Sequence, residues 1–366
     1  MTNSQSKIPF HNLTFYDDLP KLGDVEARWK KFLKATRDAA QRAEIEAGRI
    51  AEDDRVDLFD LLDDADKRRI KRRAMRFLDC LHSSTGMRHL SEENRARLTS
   101  LRGGLPIAKI ATEHEADEIA AALHAEMPWM APATETVWHG LRASARDGLP
   151  GLRFNPLVLV GSPGIGKSHW ARRLAHYLEV PTTKIDATGE PGSFALVGSQ
   201  RGWSSATPGK LLQTILQNRH GGPLVIVDEV EKSGNVQATN GARHTLTDAL
   251  LPLLERMTAE TWECPFFQIK CDMSWVNWVM TANSRNGLPE PLQSRCIVLN
   301  LPDLTTVQPR QFVETEGARR GLPDPAMAAL MDVFDCGAIK NANLSLRTVS
   351  RMLDRAQTLA CTPMLN

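Results

Sequence analysis

One short stretch limits this chain more than any other. "GSPGIGKS", Gly161 to Ser168, fits the spacing GxxxxGK[ST] and stands between the apolar run "PLVLV" and the helix-forming "HWARRLA". A strand that ends in glycines and turns at once into a helix calls for a buried parallel sheet with helices packed on it. Gly161, Gly164 and Gly166 let the backbone wrap phosphate oxygens, and Ser162, Pro163 and Ile165 complete the loop. The helix N-terminus adds N–H donors and a favourable dipole. Lys167 is placed to reach the β- and γ-phosphates of a nucleotide, and the Ser168 hydroxyl to ligate Mg2+. A glycine-rich turn with a chance lysine would require neither the strand before it nor the helix after it.

"PLVIVDE" supplies the complement. Its four apolar residues predict a central strand whose end presents Asp228 and Glu229 toward the phosphates. Asp228 can hold the metal, largely through water, and Glu229 can polarise an attacking water. An acidic pair by itself usually lies on a solvated face; after a buried strand and downstream of a phosphate loop it gains meaning. "WVMTANS" predicts another buried strand, ending in Asn283, which taken alone is more ordinarily a turn residue than an orienter of water.

The 366 residues suggest two or three domains. Residues 1–20 are polar and irregular and predict an arm. Residues 21–112 predict charged helices, with Val25, Trp29, Phe32, Leu33, Ala40 and Ala43 forming one stripe and Ile70, Ala74, Phe77, Leu78 and Leu81 another. From 113 to 302 helices first precede, and then alternate with, the short apolar runs "PLVLVG", "TTKID", "PLVIVDE", "VNWVMTAN" and "CIVLNL", the pattern of an α/β parallel sheet. Residues 303–366 are purely helical in texture. No apolar run approaches the roughly 20 residues that span a bilayer, no signal-peptide layout opens the chain, and the six cysteines include no CxxC pair. Membrane, disulfide-scaffold and zinc-site classes are thereby disfavoured, and the cytoplasm is the expected setting.

These motifs together resemble the AAA+ ATPases and, within them, the ATPase module of the Lon proteases. The resemblance runs from about residue 115 to the C-terminus. It is carried by "GSPGIGKSHWARRLA", "WSSATPGKLLQTILQ" leading to "PLVIVDEVEK", "FFQIKCDMSWVNWVMTANS", "LPEPLQSRCIVLNL" and "LSLRTVSRML". It implies an AAA+ P-loop fold with a C-terminal helical lid, ATP and Mg2+ as ligands, and hydrolysis coupled to conformational work. It also implies roles: Asn283 as first sensor, Arg295 as an arginine finger reaching a neighbouring subunit's γ-phosphate, and Arg347 as second sensor. A finger acting in trans implies self-association into a ring, a homohexamer. Lon's Ser-Lys peptidase domain would follow the lid; none is expected within these 366 residues.

Two features remain. "KRRIKRRAMR" (67–76) follows a strongly acidic block and is first a solvated helix face balanced by that block; contact with nucleic-acid phosphates is the alternative. Met127, Trp129 and Met130 could line an adenine pocket, though core packing is the more ordinary use. Trp203, in "GSQRGWSSATPGK", stands by position where Lon's first pore loop carries a substrate-gripping aromatic. The expected function is therefore a ring motor that remodels, unfolds or translocates a polypeptide. The alternatives are a nucleic-acid translocase or loader and a nucleotide-gated assembly scaffold.

Overall fold

The computed structural model describes residues 6–15, 20–51, 62–188, 192–201, 206–232, 245–335 and 345–361. The chain divides into two compact units, Leu13–Arg102 and a larger one made of Met1–Asn12 and Gly103–Asn366. Among the described residues, no helix is long and apolar enough to cross a membrane.

In the smaller unit, α1 (Leu22–Glu46) packs on α2 (Asp64–Ser84), and α3 (Glu92–Thr99) follows. Side-chain caps fix two of the starts: Asp63 accepts the Asp66 N–H for α2, and Ser91 accepts the Asn94 N–H for α3. Val25, Ile70 and Ala74 are buried, Trp29 and Phe77 meet with ring centroids 6.0 Å apart, and Arg37 pairs with Asp66 at 2.6 Å. The predicted stripe on α1 is only partly used. Phe32 is 71% exposed and Ala40 and Ala43 face solvent, because α2 covers a narrower strip than the apolar spacing allows.

The larger unit begins with a correction. Residues 6–12, taken from the sequence as part of an arm, are built into the body: β1 (Ser6–Ile8) pairs antiparallel with β2 (Leu105–Ile107). Ile8 and Phe10 alternate onto one face and are buried at 6% and 1% exposure, and the Asp272 N–H donates to the Phe10 carbonyl. The same pairing moves the expected boundary at 112 back to 102.

Helices α4 (Glu113–Glu126) and α5 (Ala131–Arg146) lead into β3 (Leu157–Val160), α6 (Lys167–Tyr177), β4 (Thr182–Asp186), α7 (Gly192–Val197) and α8 (Lys210–Asn218). Then come β5 (Leu224–Asp228), α9 (Leu246–Leu254), α10 (Arg256–Ala259), the short antiparallel pair β6 (Trp262–Glu263) and β7 (Lys270–Cys271), β8 (Asn277–Ala282), α11 (Glu290–Gln293) and β9 (Ile297–Asn300). The main sheet is wholly parallel with order β4-β5-β8-β3-β9. β3 and β8 are buried at every residue, as strands covered on both faces must be. The carboxyl ends of β3, β5 and β8, adjacent in the sheet, are where such a fold places its ligands.

Three helices close the unit: α12 (Gln308–Arg319), α13 (Asp324–Asp335) and α14 (Leu346–Cys361). Phe312, Val313, Val349 and Leu353 share one core with Trp129, Ile165 and β3. Glu316, 4% exposed, accepts from Arg319 (2.7 and 2.6 Å) and Arg320 (2.8 Å), and Arg320 reaches on to Asp354 of α14 at 2.5 Å. Burial opposes ionisation of Glu316, but the two guanidiniums overcome it and hold the carboxyl at about 2.

Candidate nucleotide site

β3 delivers the loop 161–166 to the N-terminus of α6. Gly164 and Gly166 adopt φ of +85° and +99°, values that side chains rarely tolerate. Space demands glycine as well: a Cβ on Gly164 would lie 2.5 Å from Ser345 Cβ, and one on Gly166 would lie 2.7 Å from Met127 Cε. Ser162 and Pro163 form the exposed tip of the loop, while Ile165 is buried. The Trp129 indole N–H donates to the Ile165 carbonyl at 3.0 Å. Met127, Trp129 and Met130 are thus core residues, as their ordinary use predicts, and two of them brace the loop. Behind it, Arg173 makes a bidentate pair with Glu126 (2.7 and 2.5 Å), which ties α6 to α4.

Lys167 is 7% exposed and folds over the loop, donating to the carbonyls of Gly161 and Ser162 and, at 3.4 Å, to Asn283 Oδ1. Burial pushes its pKa down, and the charges of Glu231, Asp228 and Glu229 pull it back up. The ammonium therefore sits in a desolvated place lined with carboxylates.

Those carboxylates come from the end of β5. The Ser168 hydroxyl donates to Asp228 Oδ1 at 2.6 Å, Thr281 donates to the same oxygen at 3.0 Å, and Lys184 pairs with Oδ2 at 2.7 Å. Glu229 has φ of +56°, a left-handed conformation uncommon for any residue but glycine. Its N–H donates to Thr281 Oγ1 at 3.3 Å, its Oε2 accepts from Lys232 at 2.6 Å, and its Oε1 accepts from the Asn283 amide at 3.4 Å. Glu231 Oε1 accepts the Asn283 backbone N–H at 3.0 Å, while Oε2 is buried with no hydrogen-bond partner among the described residues.

Ser168 Oγ and Asp228 Oδ1 form a hard, oxygen-only donor pair. Among the described residues no cluster of three or more His, Cys, Asp or Glu could cage a metal. One carboxylate and one hydroxyl suit Mg2+, which keeps waters and takes phosphate oxygens for its remaining positions.

Thr281, Lys184, Glu231 and Lys232 were not singled out in the sequence. Glu231 and Lys232 are visible in "DEVEK", but nothing there shows that they turn back onto Asn283 and Glu229. Lys184 is an outward residue of a predicted strand, and only the register pairing Lys184 with Ile226 and Asp186 with Asp228 brings it to the site.

The remaining predicted residues are not gathered into this cluster. Arg295, just after α11, donates to the Pro291 carbonyl at 3.1 Å and pairs with Glu255 at 3.6 Å. Arg347 is exposed in the first turn of α14, beside Leu346, whose N–H donates to the Gly164 carbonyl at 2.7 Å. Trp203 lies outside the described residues.

Residues 157–302 match the family model "ATPase family associated with various cellular activities (AAA)". The chain is 29% identical over 156 residues to the Lon protease of Nitratidesulfovibrio vulgaris, covering 43% of this chain and 18% of that one. It is 30% identical over 191 residues to the Lon protease of Chlamydia muridarum, covering 52% and 23%. The chain therefore spans about a fifth of the length of these relatives. In fold it is similar to a solved structure of Hsp104 from S. cerevisiae in complex with casein, with a TM-score of 0.51 at 16% identity over 78% of this chain and 55% of that one. The fold and site define an α/β P-loop module of the AAA+ class. Over about half of this chain, that module is similar in sequence to Lon proteases.

Proposed function

We propose that this chain is an ATP-hydrolysing motor that assembles into a homohexameric ring in the cytoplasm and remodels, unfolds or translocates a polypeptide. The observation that carries this reading is the single hydrogen-bonded cluster in which Thr281 joins Ser168 and Asp228 to Glu229, Asn283 and Lys167 at the carboxyl ends of three adjacent strands. Loop 161–166 and Lys167 bind and orient the phosphates, and Ser168 and Asp228 hold Mg2+, which neutralises phosphate charge when bound. Glu229 accepts a proton from the attacking water, and Asn283 fixes the angle of that carboxylate. Gln in place of Glu229 could accept no such proton.

Arg295 serves as a finger in trans: its cation is held at the surface by Glu255 rather than folded toward the chain's own Lys167. Arg347 couples the lid to the nucleotide, and its element already touches the phosphate loop through Leu346 and Ser345. Trp203 grips the moving polypeptide. The similarity to Lon proteases supports the polypeptide as cargo. The test is ATP turnover of the full chain with and without an unfolded protein. Turnover should rise several-fold with it, and Trp203→Ala should keep basal turnover while losing the stimulation. Equal loss of basal and stimulated rates, together with loss of the ring, would make Trp203 structural instead.

A further inference from the structure

α2 turns a dense set of cations toward solvent. Residues 67–76 hold seven Lys or Arg, and Arg68, Arg69, Lys71, Arg72, Arg73 and Arg76 are all exposed. None of these six forms an ion pair among the described residues. Among the described residues, the acids of α2 and its cap are engaged elsewhere: Asp63 caps α2, Asp64 pairs with Lys67, Asp66 with Arg37 and Asp79 with Arg88. Arg68 adds only a longer-range pull on Asp64. Of the acidic block expected to balance this face, Glu52, Asp53, Asp54, Asp57 and Asp60 lie outside the described residues.

The density and chemistry of this charge point to one class of partner. At a rise of 1.5 Å per residue, seven cations over ten residues give about one charge per 2 Å of helix. Duplex DNA carries about one phosphate charge per 1.7 Å of axis. Five of the six exposed cations are arginines, whose planar guanidinium matches phosphate oxygens bidentately. Among the described residues none of the six is braced by a side-chain hydrogen bond that would aim it at a base edge, which suits phosphate contacts that carry no sequence information. An anionic bilayer fits less well. A membrane-surface helix lays one apolar face into lipid, whereas Ile70 and Ala74 of α2 are buried and its exposed Met75 and Phe77 stand about 200° apart round the helix.

We infer that this face of α2 binds the phosphate backbone of a nucleic-acid duplex without regard to sequence. The inference rests on α2 alone and stands or falls separately from the ATPase reading. It is tested by fluorescence anisotropy of the full chain with labelled duplex DNA and duplex RNA over rising salt. The wild type should bind with affinity that falls steeply as salt rises. Charge reversal by Arg68→Glu, Arg72→Glu and Arg76→Glu should weaken binding at least about tenfold and reduce the log–log salt slope by about 2 to 3. The matching Arg→Lys triple should keep most of the affinity, and circular dichroism should show the helices retained. Should the reversal variant misfold, Arg72→Ala alone should still lower the slope by about 0.9.

Binding of DNA only or RNA only would support the inference and identify the duplex. Three outcomes would overturn it: no salt-dependent binding to either duplex, binding indifferent to the reversal, or capture of anionic phospholipid vesicles but not duplex. Binding that appears only after Glu52, Asp53 and Asp54 are changed to Ala would also overturn it, by making the acidic segment the occupant.

Discussion

Thr281 is one hydroxyl at the junction of both acidic residues. It donates to Asp228 and accepts the Glu229 N–H while itself 3% exposed, so it fixes the carboxylate that would hold the metal and the left-handed turn that aims the other. Valine nearly matches the shape but lacks the hydroxyl, so Thr281→Val would strand the Glu229 N–H and leave Asp228 Oδ1 with Ser168 as its remaining donor. Unsatisfied buried groups cost about 1–3 kcal/mol. We therefore expect ATP turnover to fall roughly tenfold to hundredfold, with nucleotide affinity, set mainly by loop 161–166, changing much less. Steady-state kinetics and titration with a fluorescent nucleotide separate the two; a larger loss in affinity than in kcat would contradict this role for Thr281. The same residue shows where sequence reading stops. Lys167, Ser168, Asp228 and Glu229 announce themselves because phosphate chemistry demands those side chains beside a strand end. Thr281 and Glu231 do not, because their place depends on β5 and β8 being neighbours in the sheet.

At the scale of elements, the lid is fastened by charge as well as by its apolar core. Glu316 joins two arginines of α12 and its vicinity, and through Arg320 it reaches Asp354 of α14. Its folded pKa of about 2 lies below the unfolded value of 4.5, so its contribution is fully present above pH 4.5 and is lost as pH falls from there toward 2. At 1.36 kcal/mol per unit the loss is at most about 3–4 kcal/mol, less where the exposed face of Arg319 is screened by solvent. Urea unfolding should show this acid-side loss in the wild type and a flatter profile in Glu316→Gln, whose stability at neutral pH should already be reduced. Identical pH profiles would remove Glu316 from the account.

The alternation of short runs and helices made β3, β4, β5, β8, β9 and the three closing helices legible, most plainly β3, β5 and β8, since buried parallel strands have few polar residues to blur them. β1, β2, β6 and β7 were not legible. Each has two or three residues, too few for any period, and β1 is built only because residues nearly 100 positions downstream complete its ladder. α1 shows the opposite failure: its apolar spacing exceeds what its partner covers, so Phe32 faces out.

At the scale of the whole molecule, the proposal makes each site the joint product of two chains. Arg295→Ala and Lys167→Ala subunits should each be inactive alone, and mixing them should restore part of the turnover, because some sites would then combine an intact phosphate loop with an intact finger. Absence of rescue at every mixing ratio would argue against a finger in trans. The central claim, that this cluster hydrolyses ATP with Glu229 as the proton acceptor, is tested most directly by Glu229→Gln. The substitution keeps size and hydrogen-bonding reach but removes the basic oxygen. Nucleotide should bind within a few-fold of wild type, and turnover should fall by about a hundredfold or more. Turnover at the wild-type rate in that variant would contradict the claim.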